Sequence, residues 1–497
     1  MVLIYKSLKV EIPFEALSIE DIKIAISLND HASLYIKLLT LEGKIQEYIS
    51  RNIENEKVTI YKENGQKLFV GKLKKVEMSF EGGVEAMEIY CTSYTKDFDI
   101  KKNSRAFSNL AMSFNSVINK VLENYPQKSF IDNATEGAAI GDFLLQYEET
   151  DWEFIKRIAS KFNAVLLPDV TVEYGRFYFG LPSVGDNKVI NSDEYEILKD
   201  IGEYKKKESL GMDDNFLQEY TKWDIVYSGD LNLGEKVTFN NVCCIVSKIR
   251  VEKYKEEIKN IYTLSLERGV RTTYKVNHKI FGMSLPATVQ QVQGNTMKVT
   301  FNDIENNGGG SEKYFTFAIE SSSWYCMPES DSEVHIYMPT NDEKDAIAVH
   351  AIRKTGDGAK YASKTQDPSI KSFSHTAGSE MKLTPGEMNF SSDAGGASSI
   401  NLSQGGEVNL NASSISLNAA SDVILSGGTV NISAKENVTI SRSGSKVELS
   451  DNLNLGGTKI NYEGTQKDAV DMPSAVTDWQ NADMSAQIDE INAGAEQ

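Results

Sequence analysis

The 497-residue chain is poor in the residues that do chemistry. Its five histidines, His31, His278, His335, His350 and His375, are scattered, and its four cysteines are Cys91, Cys243, Cys244 and Cys326. Neither set has the spacing of a metal site or a disulfide framework. Cys243 and Cys244 are adjacent in a segment that reads as a strand. Neighbours on a strand face opposite ways, so no structural pairing between them is expected. Basic residues are outnumbered: 52 Lys and Arg face 71 Asp and Glu, for a net charge of −19. That balance argues against a general nucleic-acid surface. No apolar run approaches the length that crosses a bilayer. The opening MVLIYKSLKVEIPF lacks the apolar core and cleavage site of a signal peptide, so synthesis in the cytoplasm is expected. No nucleophile–base constellation is visible. The run of glycines at 308–310 reads as a hairpin, because no Lys-Ser/Thr and no helix follow it as a phosphate loop requires. No enzymatic role, cofactor or metal is expected.

What the chain does have is a period. From Ser391 to Asn461 there is no aromatic residue, proline or cysteine. Apolar residues come there, and just before, in pairs two apart: Met381/Leu383, Met388/Phe390, Ile400/Leu402, Val408/Leu410, Ile415/Leu417, Val423/Leu425, Val430/Ile432, Val438/Ile440, Val447/Leu449 and Leu453/Leu455. Ser, Asn, Gly, Asp and Ala fill the gaps. A step of two is the strand period. Two inward residues per strand cannot close a core, so the strands must stack. These side chains are too few and too small to fill a wide solenoid of one chain. They suit a narrow prism in which three chains share one apolar axis. At roughly 4.8 Å per strand, eleven or so strands make a rod on the order of 50 Å long.

Upstream, residues 1–100 read as a first β-barrel or sandwich, with strands such as IKIAISL, LYIKLLTL and AMEIYCTSY. Residues 101–200 read as an α+β insertion. Helices are expected at Ser113–Asn124, with Val117, Ile118, Val121 and Leu122 on one face, and at Asp151–Phe162. Strands return over 201–273 as a second barrel. Residues 274–354 carry five short strands, which suits a small OB-type barrel. His335 and His350 fall on neighbouring strands there, and a partly exposed strand pair is the expected reading. A polar linker spans 355–380, the rod spans 381–462, and an acidic tail spans 463–497.

One segment is specific. FLLQYEETDWEFIKRIASKFNAVL, residues 143–166, carries Gln146-Tyr147, then Thr150-Asp151-Trp152, then Phe154-Ile155 and an Arg-containing helix. Read locally, Thr150 or Asp151 caps a helix, Asp151 and Glu153 favour its positive N-terminus, and Trp152, Phe154, Ile155, Ile158 and Phe162 pack beneath it. The segment resembles the VgrG family of contractile injection system spikes and the hub–spike proteins of myophage baseplates. Ser104-Arg105-Ala106-Phe107 resembles that family's motif just upstream. Trp324–Ile352 resembles its Pro-X-X-Gly-Asp-Glu-Val strand, with Asp331-Ser332-Glu333-Val334 standing for the last four. The resemblance covers nearly all of residues 1–462.

The resemblance implies a mainly β fold: a hub of two β-barrels with an α+β insertion, an OB-type barrel and a trimeric intertwined β-helix. It implies a homotrimer that joins a tail tube protein and baseplate components to a PAAR-type tip protein. Effector cargo would sit at the shaft or the acidic tail, and no chemistry is assigned to the Gln146–Ile155 motif. The shaft core expected is Val408, Leu410, Ile415, Leu417, Val423, Leu425, Val430, Ile432, Val438, Ile440, Val447, Leu449, Leu453 and Leu455. Assembly into an injection particle would carry the chain outside the cell. Two rivals stay open, a carrier of a cell-wall hydrolase and a receptor-binding fibre.

Overall fold

The computed structural model describes residues 1–459 except 41–42, 82, 183–187, 212–215, 255–256, 309–311, 320–324, 353–366, 376, 393–396, 444, 450–452 and 457. The acidic tail, Trp324 and the first part of the linker, 355–366, therefore lie outside the described residues. The chain forms two units, Met1–Gly358 and Ala359–Gln497.

The first unit is mainly β. Its helices are α1 (Lys44–Ser50), α2 (Phe114–Leu122), α3 (Asp151–Lys161), α4 (Ile201–Ser209) and α5 (Glu267–Val270). The strands of residues 1–92 and those of residues 188–265 do not stand as two separate sheets. They share one 13-stranded sheet. The join is the long strand Val242–Tyr254. Its first residues pair antiparallel with Lys236–Phe239, and its later ones, Lys248 to Glu252, pair with Ser27 to Lys23. The strands alternate buried and exposed residues, as one covered face requires. Ile22, Ile24 and Ile26 are buried on one strand and Leu34, Ile36 and Leu38 on its neighbour. These side chains and Val237, Phe239, Val246 and Val251 form one continuous core. Cys244 is buried and Cys243 exposed, on opposite faces of their strand.

The α+β insertion builds a second core. Ser113 caps α2 by accepting from the Ser116 N–H. Val117, Ile118, Val121 and Leu122 are all buried, on the face the periodicity marks out. They pack with Trp152, Phe154, Ile155 and Ile158 of α3 and with Phe98, Phe107, Phe177 and Phe179.

The third core is the small β unit. Its five strands, Ser284–Gln293, Thr296–Phe301, Phe315–Thr316, Glu333–Tyr337 and Ile347–Ile352, form one sheet. A parallel bridge between Phe317 and Ala348 brings its two edges together. Asp331, which stands where the resemblance has glycine, has a φ of 66°. That left-handed backbone is where glycine is favoured and where Asp is among the few tolerated substitutes. His335 is opposite Val349, and its Nδ1 lies 3.0 Å from the Ser284 hydroxyl. His350 falls in the irregular step of the same pairing, with a φ of 45°.

The second unit holds two antiparallel meanders. The first joins Lys371–Ser374, Glu380–Leu383, Glu387–Ser391, Ser399–Ser403 and Val408–Asn411 in chain order. The second joins Val438–Arg442, Ser445–Leu449 and Leu453–Gly456. The expectation that a lone chain leaves these strands unpaired is therefore corrected: consecutive strands pair within the chain. Residues 412–437 form no strand.

Candidate functional site

Two features carry the sequence motifs, a buried polar node in the first unit and an uncovered apolar face in the second.

The node begins with a bulge. The strand Leu144–Thr150 pairs antiparallel with Lys102–Phe107, and the register shifts between Gln146 and Glu149. Glu148 absorbs the extra residue with a φ of 48°. A bulge of this kind bends the strand and re-aims its side chains. Gln146 points inward, and Glu149 and Thr150 return to the buried side. The carbonyls of Tyr147 and Glu148 accept from Asn277 Nδ2 and Lys279 Nζ, on the segment that enters the small β unit. The Tyr147 ring packs against the core of that unit.

Asp151 is the centre. Its Oδ1 accepts from Arg105 Nη1 at 2.6 Å, Gln146 Nε2 at 2.9 Å and Asn103 Nδ2 at 3.0 Å. Its Oδ2 accepts from the Tyr125 hydroxyl at 2.8 Å. Arg105 is opposite Gln146 in the strand register and donates to Gln146 Oε1 at 2.7 Å. Asp151 is 1 % exposed, with three donors on Oδ1 and one on Oδ2. The arrangement locks the start of α3.

Thr150 closes the cap. Its Oγ1 accepts from the Glu153 N–H at 3.1 Å, and its own N–H donates to Glu153 Oε2 at 2.9 Å. This is a full capping box. The same hydroxyl donates to Asp99 Oδ1 at 2.6 Å. Burial raises the Asp99 carboxyl, but the bonds from Lys96 and Thr150 outweigh it and hold Asp99 below its ordinary value. Trp152 is buried between His31, 4.7 Å away between ring centroids, and Phe177 at 5.5 Å. His31 Nδ1 lies 2.9 Å from Thr95 Oγ1, and its Nε2 lies 3.4 Å from Asp99 Oδ2. Burial pulls the imidazole down to about 4, against the opposing pull of Asp99.

A second ionic cluster lies on the next turn of α3. Arg157 Nε and Nη2 grip both oxygens of Glu149 at 2.8 Å, and Nη2 also donates to the Leu145 carbonyl at 2.6 Å. Nη1 donates to Glu343, which belongs to the small β unit. The guanidinium also lies over the Phe154 ring. Arg157 and Glu343 are both buried. A third tie is a strand: Glu305–Asn307 pairs parallel with Arg105–Phe107, and Arg105 Nε donates to Glu305 at 3.2 Å. The node thus welds α3, the bulged strand and the small β unit. Asp99, Tyr125, Asn103 and Glu343 are not singled out by sequence. Glu343 stands inside the Trp324–Ile352 segment, but its partner is 186 residues away. Among the described residues, no three His, Cys, Asp or Glu side chains gather as a metal would need.

In the second unit the paired apolar residues come into register. Met381 is opposite Phe390 and Leu383 opposite Met388; Phe390 is opposite Ile400, and Ile400 opposite Leu410; Leu402 meets both Met388 and Val408. Further along, Ile440 meets Val447, and Val447 meets Leu455. Each sheet therefore gathers its apolar side chains on one face, and among the described residues that face is left largely uncovered. On these strands Val408, Leu410 and Ile440 are exposed by half or more; Ile415, Leu417, Val423, Leu425, Val430 and Ile432 are equally exposed but lie in residues 412–437, where the strands expected from their pairing are not formed. Val438 and Val447 are half-buried. Leu449, Leu453 and Leu455 lie on paired strands, and their side chains lie outside the description.

No family model and no curated protein matches the sequence. Solved structures do match. The Escherichia coli c3393 protein, described as a type VI secretion component with structural similarity to phage T4 tail proteins gp27 and gp5, is 12 % identical. That match has a TM-score of 0.51 and covers 69 % of this chain and 99 % of that one. A chain of the lidless PdpA–VgrG complex is 10 % identical, with a TM-score of 0.51, covering 79 % and 93 %. A tail protein from Neisseria meningitidis is 11 % identical at a TM-score of 0.42, covering 54 % and 98 %. The fold of this chain is VgrG-like, the fold shared with the c3393 protein and the chain of the PdpA–VgrG complex.

Proposed function

We propose that the chain is the central spike of a contractile, phage-tail-like injection particle. The carrying observation is the in-register apolar face of the second unit, left in water by a single chain. Burying one Val, Leu or Ile contributes about 1.5 kcal/mol or more, so Val408, Leu410 and Ile440 on these strands, with the equally exposed Ile415, Leu417, Val423, Leu425, Val430 and Ile432 of the strandless stretch between them, are a strong drive to associate. Three copies turn these faces to a common axis and form the intertwined shaft. The hub strands form a ring, two similar barrel-like halves per copy, that matches the tail tube. The small β unit acts as an OB-type collar between hub and shaft. The node at Asp151 and Arg157 is the joint that transmits axial load from hub to collar, because it is buried and fully bonded.

The mechanism is mechanical. Sheath contraction drives tube and spike into the target envelope, and the shaft resists buckling through its strand pairing and dry axis. The partners are a homotrimer, the tail tube protein, baseplate components and a PAAR-type tip protein. Cargo would dock on the shaft or on residues 463–497. The chain is made in the cytoplasm and leaves it inside the particle.

An epitope-tagged chain expressed in its native host tests this. The tag should co-purify with particles and mark one end of the tube in electron micrographs. A tag absent from particles, or spread along side fibres, would overturn the reading. Deleting residues 463–497 should reduce recovery of tip protein or cargo; unchanged recovery would remove the docking role from that segment.

A further inference from the structure

A cavity of about 400 Å³ in the first unit carries charge opposite to that of the chain. Lys206 and Lys207 line it from α4, and Lys222 from the strand Thr221–Val226. Lys248 lines it from the long strand Val242–Tyr254, and Arg271 and Lys275 from the segment that follows α5. Glu203 is the one carboxylate among the described lining residues. The whole chain has 71 acids against 52 bases, so six cations around one acid reverse its balance. Cations gathered on the walls of a cleft focus their field on anions.

Two of the six are already bonded. Lys207 Nζ donates to the carbonyls of Gly269 and Arg271 at 2.8 Å and lies 3.5 Å from Glu203. Lys222 lies 3.4 Å from Asp200. Lys206, Lys248, Arg271 and Lys275 enter no ion pair among the described residues, whereas Lys62, Lys72 and Lys259 each meet a carboxylate. Lys275 keeps a face in water, yet the protein around it, with Lys156 and Lys206 nearby, holds its ammonium below its ordinary value. A bound anion would relieve that repulsion.

The walls narrow the chemistry. No aromatic side chain is among the described lining residues, so nothing there would stack a nucleobase. The four unpaired cations come from a helix, a strand and a loop segment, and Ser27 and Thr273 add hydroxyls. Donors on several walls suit tetrahedral groups, whose oxygens point in all directions, better than a planar carboxylate.

We propose that this cavity binds a small polyanion of the polyphosphate class, which ties α4 and residues 269–275 to the sheet. The site lies apart from the Asp151 node and the shaft, and it does not depend on the spike reading.

The test is calorimetric titration of the full-length chain with tripolyphosphate, citrate and ATP, with unfolding midpoints measured beside each. Tripolyphosphate should bind once per chain and raise the midpoint, since a ligand of the folded state stabilises it. Citrate should bind more weakly, and ATP no more tightly than tripolyphosphate. Lys206→Gln with Arg271→Gln removes two exposed, unpaired cations and should weaken tripolyphosphate by about tenfold or more. Lys74→Gln with Lys101→Gln, an equal change of charge elsewhere, should bind as the native chain does. No saturable binding of tripolyphosphate to the native chain would overturn the site. Equal weakening in both double variants would also overturn it, by showing attraction to net charge alone. Citrate as tight as tripolyphosphate would overturn the phosphate class, and markedly tighter ATP would show that a base is read.

Discussion

Arg157 is held by two buried carboxylates, Glu149 and Glu343, and by a carbonyl. Replacing it with methionine leaves both acids buried without a counter-charge. The expected loss is about 3–5 kcal/mol, read as a lowered denaturant midpoint of the first unit. Arg157→Lys should recover little, because a single ammonium cannot reproduce the two-pronged grip on Glu149. His31 makes a pH-dependent contribution. Its folded value, about 4, lies below the ordinary 6.5, so the unfolded chain takes up a proton first as pH falls. The neutral, buried imidazole therefore stabilises fully above pH 6.5, and this stability is lost as pH falls through about 4. The difference is on the order of 3 kcal/mol. Unfolding curves from pH 7 to 4 should show a steeper decline for the native chain than for His31→Gln; equal slopes would contradict this. At this scale the sequence was legible where partners are local. Thr150 and Glu153 are three residues apart, and the cap follows from spacing alone. Gln146 and Glu149 lie near Asp151 and Arg157 in sequence, but Tyr125, Arg105, Asn103 and Glu343 come from 26 to 186 residues away, and no local pattern encodes them.

Among elements, α2 and α3 follow their apolar periodicity to within two residues of the expected ends, because each buries one face and starts at a capping side chain. Thr150→Ala should cost about 1–2 kcal/mol through loss of the cap, and Thr150→Ser should retain most of it. Equal stability of the two variants would remove the cap from the account. Helix α4 was read as part of a strand region. Its sequence, IGEYKKKES, is polar almost all round and gives no helical stripe. It is anchored instead by the buried Lys207, whose Nζ donates to the carbonyls of Gly269 and Arg271 at 2.8 Å. The strand Glu305–Asn307, which joins Lys102–Phe107, was hidden for the same reason: three residues without alternation carry no period. Most apolar pairs of the second unit were legible as strands through their step of two, but Ile415/Leu417, Val423/Leu425 and Val430/Ile432 keep the same step and lie in residues 412–437, which form no strand in the single chain. The antiparallel pairing of the strands within one chain was not legible, since the period does not say which strand lies beside which. Leu410→Asp should prevent the apolar face from docking and lower the native mass of the full-length protein. Asn409→Asp, one residue away on the opposite face, should leave it unchanged.

For the whole molecule, the sequence shows two groups of hub strands, and the structure joins them into one sheet through Val242–Tyr254. A long strand that serves two neighbours in succession looks like any other strand in a sequence. The small β unit is fixed to the insertion by a shared core, a shared strand and the Arg157–Glu343 pair, so the two are packed as one body. Among the described residues, the second unit has strands and an apolar face but no core of its own. Under the proposed function, assembly completes it, through a shared shaft that makes the protein a trimer. The most direct measurement is the native mass of the full-length chain by light scattering, beside a chain truncated after Lys354. The account predicts about three chain masses, resistant to dilution and detergent, for the full chain, with a looser or dissociating truncation. A monodisperse monomer of the full chain would contradict it.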